Sequence, residues 1–281
     1  MKGDRGKLNE MVDPTSLARA ICKTEEVQMK DNFLTTKQLN SIFSDIANYT
    51  DLRLKILNLD CIGRMGTVLP AVSRLTEINF YQISEKHLNV LLHSIYTSKD
   101  SNLKKLGLGF RNLSGVLTDI LTKAISRLED VDLTCTHLST RQSNALFDAI
   151  CEEPDIKLQS LNLSTNNFAE VESELLADSV CNLKKVDLTR TQLKTSHLNI
   201  LFDKIAKCSK LTLQKLTMIE EDLSEVSGDP LAHGVCRLEH VILRAEIHTM
   251  LKCISQKLNT ELGQAQLKLE LGFTSLAALN L

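Results

Sequence analysis

The chain has no tryptophan, and aromatic residues make up 4% of its 281 residues. A core built from it must therefore be aliphatic, and leucine is the main building block. Charge of one sign is also missing: the formal net charge is -2. That excludes a general nucleic-acid binder, which needs many lysines and arginines to neutralise phosphates. No run of about 18 apolar residues occurs, so no membrane span is expected. The first residues, "MKGDRGKLNEMVDPT", lack the apolar stretch of a signal peptide, so a cytoplasmic, reducing compartment is expected. The eight cysteines should then be free thiols.

What is present is a repeat. The template LxxLxLxx(N/T/C)xL fits best at Leu158, Leu161, Leu163, Asn166 and Phe168 in "LQSLNLSTNNF". It returns at Leu103, at Leu128 ("LEDVDLTCTHL"), at Leu183 ("LKKVDLTRTQL") and at Leu213. Weaker copies begin at Leu54, Leu75 and Leu238, and the weakest at Thr24 and Gln266. Successive starts average about 27 residues apart, inside the range for leucine-rich repeats. Long steps alternate with short ones: from Leu103 onward the spacings run 25, 30, 25, 30, 25. The structural unit is thus a pair.

Each template segment reads as one short strand, with template positions 4 and 6 turned inward by the strand's period of two. The long repeats continue into a shared second half, "LTTKQLNSIFSDI", "ISEKHLNVLLHSI", "LSTRQSNALFDAI" and "LKTSHLNILFDKI". Its apolar residues recur at i, i+3, i+4 and i+7, as in Leu198, Leu201, Phe202 and Ile205, the stripe of an amphipathic helix. Thr36, Thr140 and Thr195 stand where a hydroxyl caps such a helix. The short repeats end in a shorter helix with small residues, as in "LTKAISR" and "LAHGVCR". Neither half buries its apolar face alone, so the repeats must stack.

This pattern resembles the leucine-rich-repeat superfamily. The alternating pairs with a convex helix look most like its ribonuclease-inhibitor-like branch. The resemblance covers residues 24–281 and implies an α/β solenoid of about ten repeats, a curved horseshoe with a parallel β-sheet on the concave side and α-helices on the convex side. One domain is expected over 24–281, preceded by the helical half of a partial repeat in 1–23. No polar cap is visible at either end, and a fragment of a longer array is expected. The turn asparagine of the family, kept at Asn32 and Asn166, is replaced at Arg111, Glu221, Ile62 and Ile83. Threonines occupy that place at Thr136, Thr191 and Thr274.

Motifs for chemistry are absent. The sequence holds no CxxC, HExxH, GxxxxGK[ST], GxGxxG or GxSxG. No catalytic residue, metal ligand or cofactor is expected. Cys22, Cys181 and Cys236 share a slot with Ser73 and Ser126, which suits a small buried residue. The histidines are expected at the surface. Asn40, Asn89, Asn144 and Asn199 recur at one helix slot and read as a ladder bonding neighbouring turns. The sequons at Asn48, Asn112 and Asn162 read as chance.

The concave strand face is the expected binding surface for a protein or peptide. Nucleic acid and membrane are not expected, and the oligomeric state is left open. Position 5 of the template is mostly small and hydrogen-bonding and includes Asn79, Asp132 and Asp187. Tyr81 and Phe110, at positions 7 and 8, are candidate anchors in an aromatic-poor chain. Position 8 varies, from Cys135 to Arg190, so Arg190 is a candidate for specificity. The resemblance also leaves open two further roles: the ligand-sensing part of a larger immune-receptor-like protein, and a GTPase regulator similar to the GTPase-activating protein of Ran.

Overall fold

A computed structural model of the chain describes residues 13–29, 35–59, 68–81, 83–153, 156–223, 225–244 and the backbone of 268–271. Asn32, Ile62 and Thr274 lie outside these residues. The chain divides into two compact units, Met1–Asp132 and Leu133–Leu281.

The first unit alternates helix and strand: α1 (Pro14–Cys22), β1 (Glu26–Met29), α2 (Thr36–Asn48), β2 (Ile56–Leu59), α3 (Val68–Val72), β3 (Glu77–Phe80), α4 (Glu85–Thr97), β4 (Lys105–Gly107), α5 (Thr118–Ile125) and β5 (Asp130–Asp132). Its strands pair in parallel and in sequence order, with Gln28 opposite Asn58, Asn58 opposite Asn79, Asn79 opposite Gly107 and Gly107 opposite Asp132. Equal template positions therefore stand side by side.

The second unit repeats the plan with α6 (Thr140–Glu152), β6 (Ser160–Asn162), α7 (Ser173–Asn182), β7 (Lys185–Asp187), α8 (Thr195–Lys207), β8 (Lys215–Ile219), α9 (Gly228–Cys236), β9 (His240–Arg244) and β10 (Lys268–Leu271). Pairing is again parallel, with Asn162 opposite Asp187, Asp187 opposite Thr217, and Thr217 opposite Ile242.

In each unit the core lies between strands and helices. Template positions 1, 4, 6 and 11 supply one wall: Leu103, Leu106, Leu108 and Leu113 are buried in the first unit, as are Leu183, Val186, Leu188 and Leu193 in the second. The helix stripe supplies the other, including Leu198, Leu201, Phe202 and Ile205. Several of the few aromatics are spent here. Phe43, Phe147 and Phe202 take one helix slot and are buried, and Phe147 meets Phe168 edge to face with ring centroids 5.7 Å apart.

Three polar devices hold neighbouring repeats in step. First, the helix-slot asparagines work as a ladder. The Asn89, Asn144 and Asn199 side-chain oxygens accept the backbone N–H of Leu117, Glu172 and Ser227 at 3.1, 3.1 and 2.8 Å. Each acceptor sits on a long helix and each donor is the residue that opens the next short helix, where free N–H groups need partners. Second, an arginine just before the strand closes the long helix of the preceding repeat. Arg74 donates to the carbonyls of Ile46 and Ala47, Arg127 to Ser98, and Arg237 to Ile205 and Ala206, at 2.7–3.0 Å. A cation there also suits the negative end of the helix.

Third, position 9 is buried and bonded. The Asn166 Nδ2 donates to the carbonyls of Leu133 and Leu163, and its Oδ1 accepts from the Thr136 N–H at 3.1 Å. Glu221 stands in the same place one pair later. Its carboxylate accepts from the Thr191 N–H and hydroxyl and from the Leu193 N–H. Arg111 differs: its Nε turns back onto the Gly109 carbonyl in its own turn.

The helix caps correct one expectation. Thr36, Thr140 and Thr195 are first helical residues, and the cap falls one residue earlier, on the hydroxyls of Thr35 and Ser139 and on Lys194, which has none. Thr35 and Ser139 accept the N–H of Gln38 and Gln142, whose side chains return a bond to the cap, forming reciprocal capping boxes. His197 is a second correction, because it lies 4% exposed and not at the surface. Its Nδ1 accepts the Lys194 N–H, and Nε2 lies 3.1 Å from the Val171 carbonyl. A histidine thus does the work that glutamine does elsewhere, which is why it is drawn inside.

Candidate functional site

Template positions 2, 3, 5, 7 and 8 face away from the core and make the strand face of each unit. The alternation of the strands presents them, and the exit turn adds position 8. At that position the backbone is left-handed in five consecutive repeats: φ is 62° at Phe110, 53° at Cys135, 61° at Thr165, 56° at Arg190 and 63° at Glu220. None of the five is glycine, although this conformation disfavours a side chain by roughly 1–2 kcal/mol. The ladder fixes it. The N–H of Cys135, Thr165 and Arg190 donates to the position-7 carbonyl of the next repeat, at Ser164, Thr189 and Ile219, at 2.8–3.0 Å. The sharp turn therefore lies at the end of a continued strand pairing and pushes its side chain outward.

In the first unit the strand face is a closed polar network. The Asn79 Nδ2 donates to the Asn58 Oδ1 at 2.8 Å and to Glu77 at 3.0 Å, and the Asn58 Nδ2 donates to Glu26 at 3.3 Å. Asn79 also lies over Gly107, where a Cβ would collide with its carboxamide oxygen. Position 5 is accordingly not uniformly open: Asn58 is buried, and so is Gly107. Every lysine of positions 2 and 3 has a carboxylate on the neighbouring strand. Lys55 pairs with Glu25 at 3.2 Å, Lys104 with Glu129 at 2.8 Å and Lys105 with Glu77 at 3.7 Å.

Phe110 rises from this face 70% exposed, the most open large apolar side chain among the described residues. Tyr81, at position 7, is half-buried, and its N–H donates to the Leu59 carbonyl. Asp132 is half-buried at position 5 of β5, and its carbonyl accepts the Leu108 N–H.

In the second unit Asp187 is half-buried and its Oδ1 accepts the Thr189 N–H at 2.9 Å. Arg190 is exposed and grips Glu220 with two bonds, Nε to Oε2 at 2.7 Å and Nη2 to Oε1 at 2.5 Å. The bond and charge of Glu220 push the Arg190 pKa further up. The expected site residues thus divide between the units: Asn79, Tyr81, Phe110 and Asp132 belong to one, Asp187 and Arg190 to the other.

Sequence reasoning did not single out Lys215 and His240. They stand in register with Lys185 across β7, β8 and β9. Reading template position 3 down the repeats reveals the row.

The cysteines behave as packing residues. Cys22 and Cys181 are 0% and 2% exposed. Burial, with the Cys208 thiol beside it, pushes the Cys181 thiol up to about 12, and burial raises Cys151 to about 11. Such thiols stay protonated near neutral pH and are poor nucleophiles. Among the described residues no three His, Cys, Asp or Glu side chains gather as a metal site would need. Nor, among them, is any helix long and apolar enough to cross a membrane.

No family model matches the chain, and no curated protein matches it. Among solved structures it is similar to the leucine-rich repeat-containing protein LegL7 from Legionella pneumophila, with a TM-score of 0.53 and 14% sequence identity over 88% of this chain and 87% of that one. With parallel strands in sequence order, a helix between successive strands from β1 to β9 and a buried LxxLxL pattern, the chain has the leucine-rich-repeat fold. It is a repeat scaffold.

Proposed function

We propose that the chain is a non-catalytic protein-interaction scaffold that binds a protein or peptide partner through its strand face. Its mechanism is surface complementarity: the repeat core holds the strands in register while positions 2, 3, 5, 7 and 8 carry the variable chemistry. The observation that carries this reading is Phe110. An aromatic side chain 70% exposed, held outward by a left-handed turn, is an unusual use of a residue that is buried at every other position among the described residues. Exposed aromatics that become buried on binding are the common anchors of protein interfaces. A reducing, cytoplasmic setting fits the free thiols.

Affinity capture from cell extract with the chain and with Tyr81→Ala/Phe110→Ala tests the reading. The partners captured by the parent chain should be lost from the double variant, with the circular dichroism spectrum unchanged. An unchanged set of partners overturns Phe110 and Tyr81 as the anchor.

A further inference from the structure

The lysines of the two strand faces are treated differently. In the first unit each has a carboxylate within reach, as described above. In the second, Lys184, Lys185 and Lys215 have no carboxylate within 4 Å among the described residues; Lys184 instead donates to Gln159 at 3.0 Å. Lys185 is directly opposite Lys215, and Lys215 directly opposite His240. Adjacent strands lie about 4.8 Å apart, and like charges directly opposite each other destabilise a sheet. The backbone of Lys268 extends the same register from His240.

Asp187, two residues along from Lys185, forms no ion pair with it within 4 Å; its Oδ1 accepts the Thr189 N–H. Along β8 and β9 the same face turns partly apolar, with Ile219 and Ile242 half-buried. The surface is therefore a pair of opposed lysines, Lys185 and Lys215, with no carboxylate within 4 Å among the described residues, beside an apolar strip.

We infer that the strand face of the second unit is a docking surface for an acidic segment of a protein, its carboxylates held by Lys185 and Lys215 and its apolar side chains placed against Ile219 and Ile242. Charge complementarity is the argument. Two lysines directly opposite each other cost the free protein stability, and an acidic partner relieves that cost where no carboxylate among the described residues comes within 4 Å. Nucleic acid fits the face poorly. No Phe, Tyr or Trp stands on these strands to stack a base. The inference deepens the strand-face reading above and rests on it.

Fluorescence anisotropy with a short labelled peptide of alternating Glu and Leu tests it, beside a Gln/Leu peptide and an oligouridylate RNA. The Glu/Leu peptide should bind the full chain, more weakly as salt rises. Lys185→Glu/Lys215→Glu should weaken that binding on the order of tenfold or more, while Lys207→Glu on α8 leaves it unchanged. Lys185→Gln/Lys215→Gln relieves the repulsion within the row, and so provides a folded variant in which the same loss appears to a smaller degree. Three results overturn the inference: equal binding of the Gln/Leu peptide, unchanged affinity in both double variants, or tighter binding of the RNA. Loss of peptide binding with capture through Phe110 intact removes only this inference. Intact peptide binding with capture independent of Phe110 removes only the anchor of the first unit.

Discussion

Glu221 accepts the backbone N–H and the hydroxyl of Thr191, the place that Asn166 takes against Thr136 one pair earlier. The two differ in what they give back. The Asn166 amide donates to the carbonyls of Leu133 and Leu163, whereas an ionised carboxylate donates nothing. Burial raises the Glu221 pKa above 4.5, opposed by its bonds to Thr191 and Leu193.

A folded-state pKa above the unfolded one sets the sign of the pH effect. The native state binds the extra proton, so stability is full below the unfolded value near 4.5. It falls as pH rises through the folded pKa and is level beyond that. Glu221→Gln supplies a donor with no charge. It should be more stable than the parent at pH 7.5 by on the order of 1 kcal/mol, with the gap closing towards pH 4. Thermal melts across that range check it, and a variant less stable at every pH would mean that the carboxylate is needed as an anion.

Gly107 has a neighbour and not a conformation to explain it. A Cβ there would meet the Asn79 carboxamide, which would have to swing away from Asn58 and Glu77. Gly107→Ala should cost about 1 kcal/mol, the net worth of the bonds displaced. In an Asn79→Ala background the cost should shrink, giving a measurable coupling in a double-mutant cycle. Equal costs in both backgrounds, read from urea unfolding, would separate the two residues.

The asparagine ladder makes a matched set. Asn89→Ala, Asn144→Ala and Asn199→Ala each remove an acceptor from the residue opening a short helix. Each should cost about 1 kcal/mol, the usual worth of a cap. Asn→Asp at the same positions keeps the acceptor oxygen and should lose less. If Ala and Asp variants melt alike, the oxygen is not what the helix start uses.

Much of this fold is legible in the sequence. The repeat spacing locates the strands, and Leu128, Val131, Leu133 and Leu138 can only be a buried rung. The asparagine ladder is also readable, because four residues recurring in one helix slot imply one shared bond. The caps are harder to place, since "TT" and "ST" each offer two adjacent hydroxyls and only the backbone geometry chooses the first, while the one hydroxyl of "KT" lies inside the helix. The burial of His197 escapes a sequence reading because its role is inherited from glutamine in other repeats. The arginines at Arg74, Arg127 and Arg237 recur just as visibly, but their targets lie on the preceding helix, about 30 residues back. The basic row requires the register, because Lys185, Lys215 and His240 are neighbours only across strands.

Lysine footprinting of the complex with its captured partner tests the account most directly. Amine acetylation, read by mass spectrometry, compares the strand-face lysines Lys104, Lys105, Lys184, Lys185 and Lys215 with Lys123, Lys204 and Lys207 on the helices. The account predicts that binding protects lysines of the strand face and leaves the helix lysines as reactive as in the free chain. Protection confined to Lys123, Lys204 and Lys207 would place the partner on the helices and contradict it.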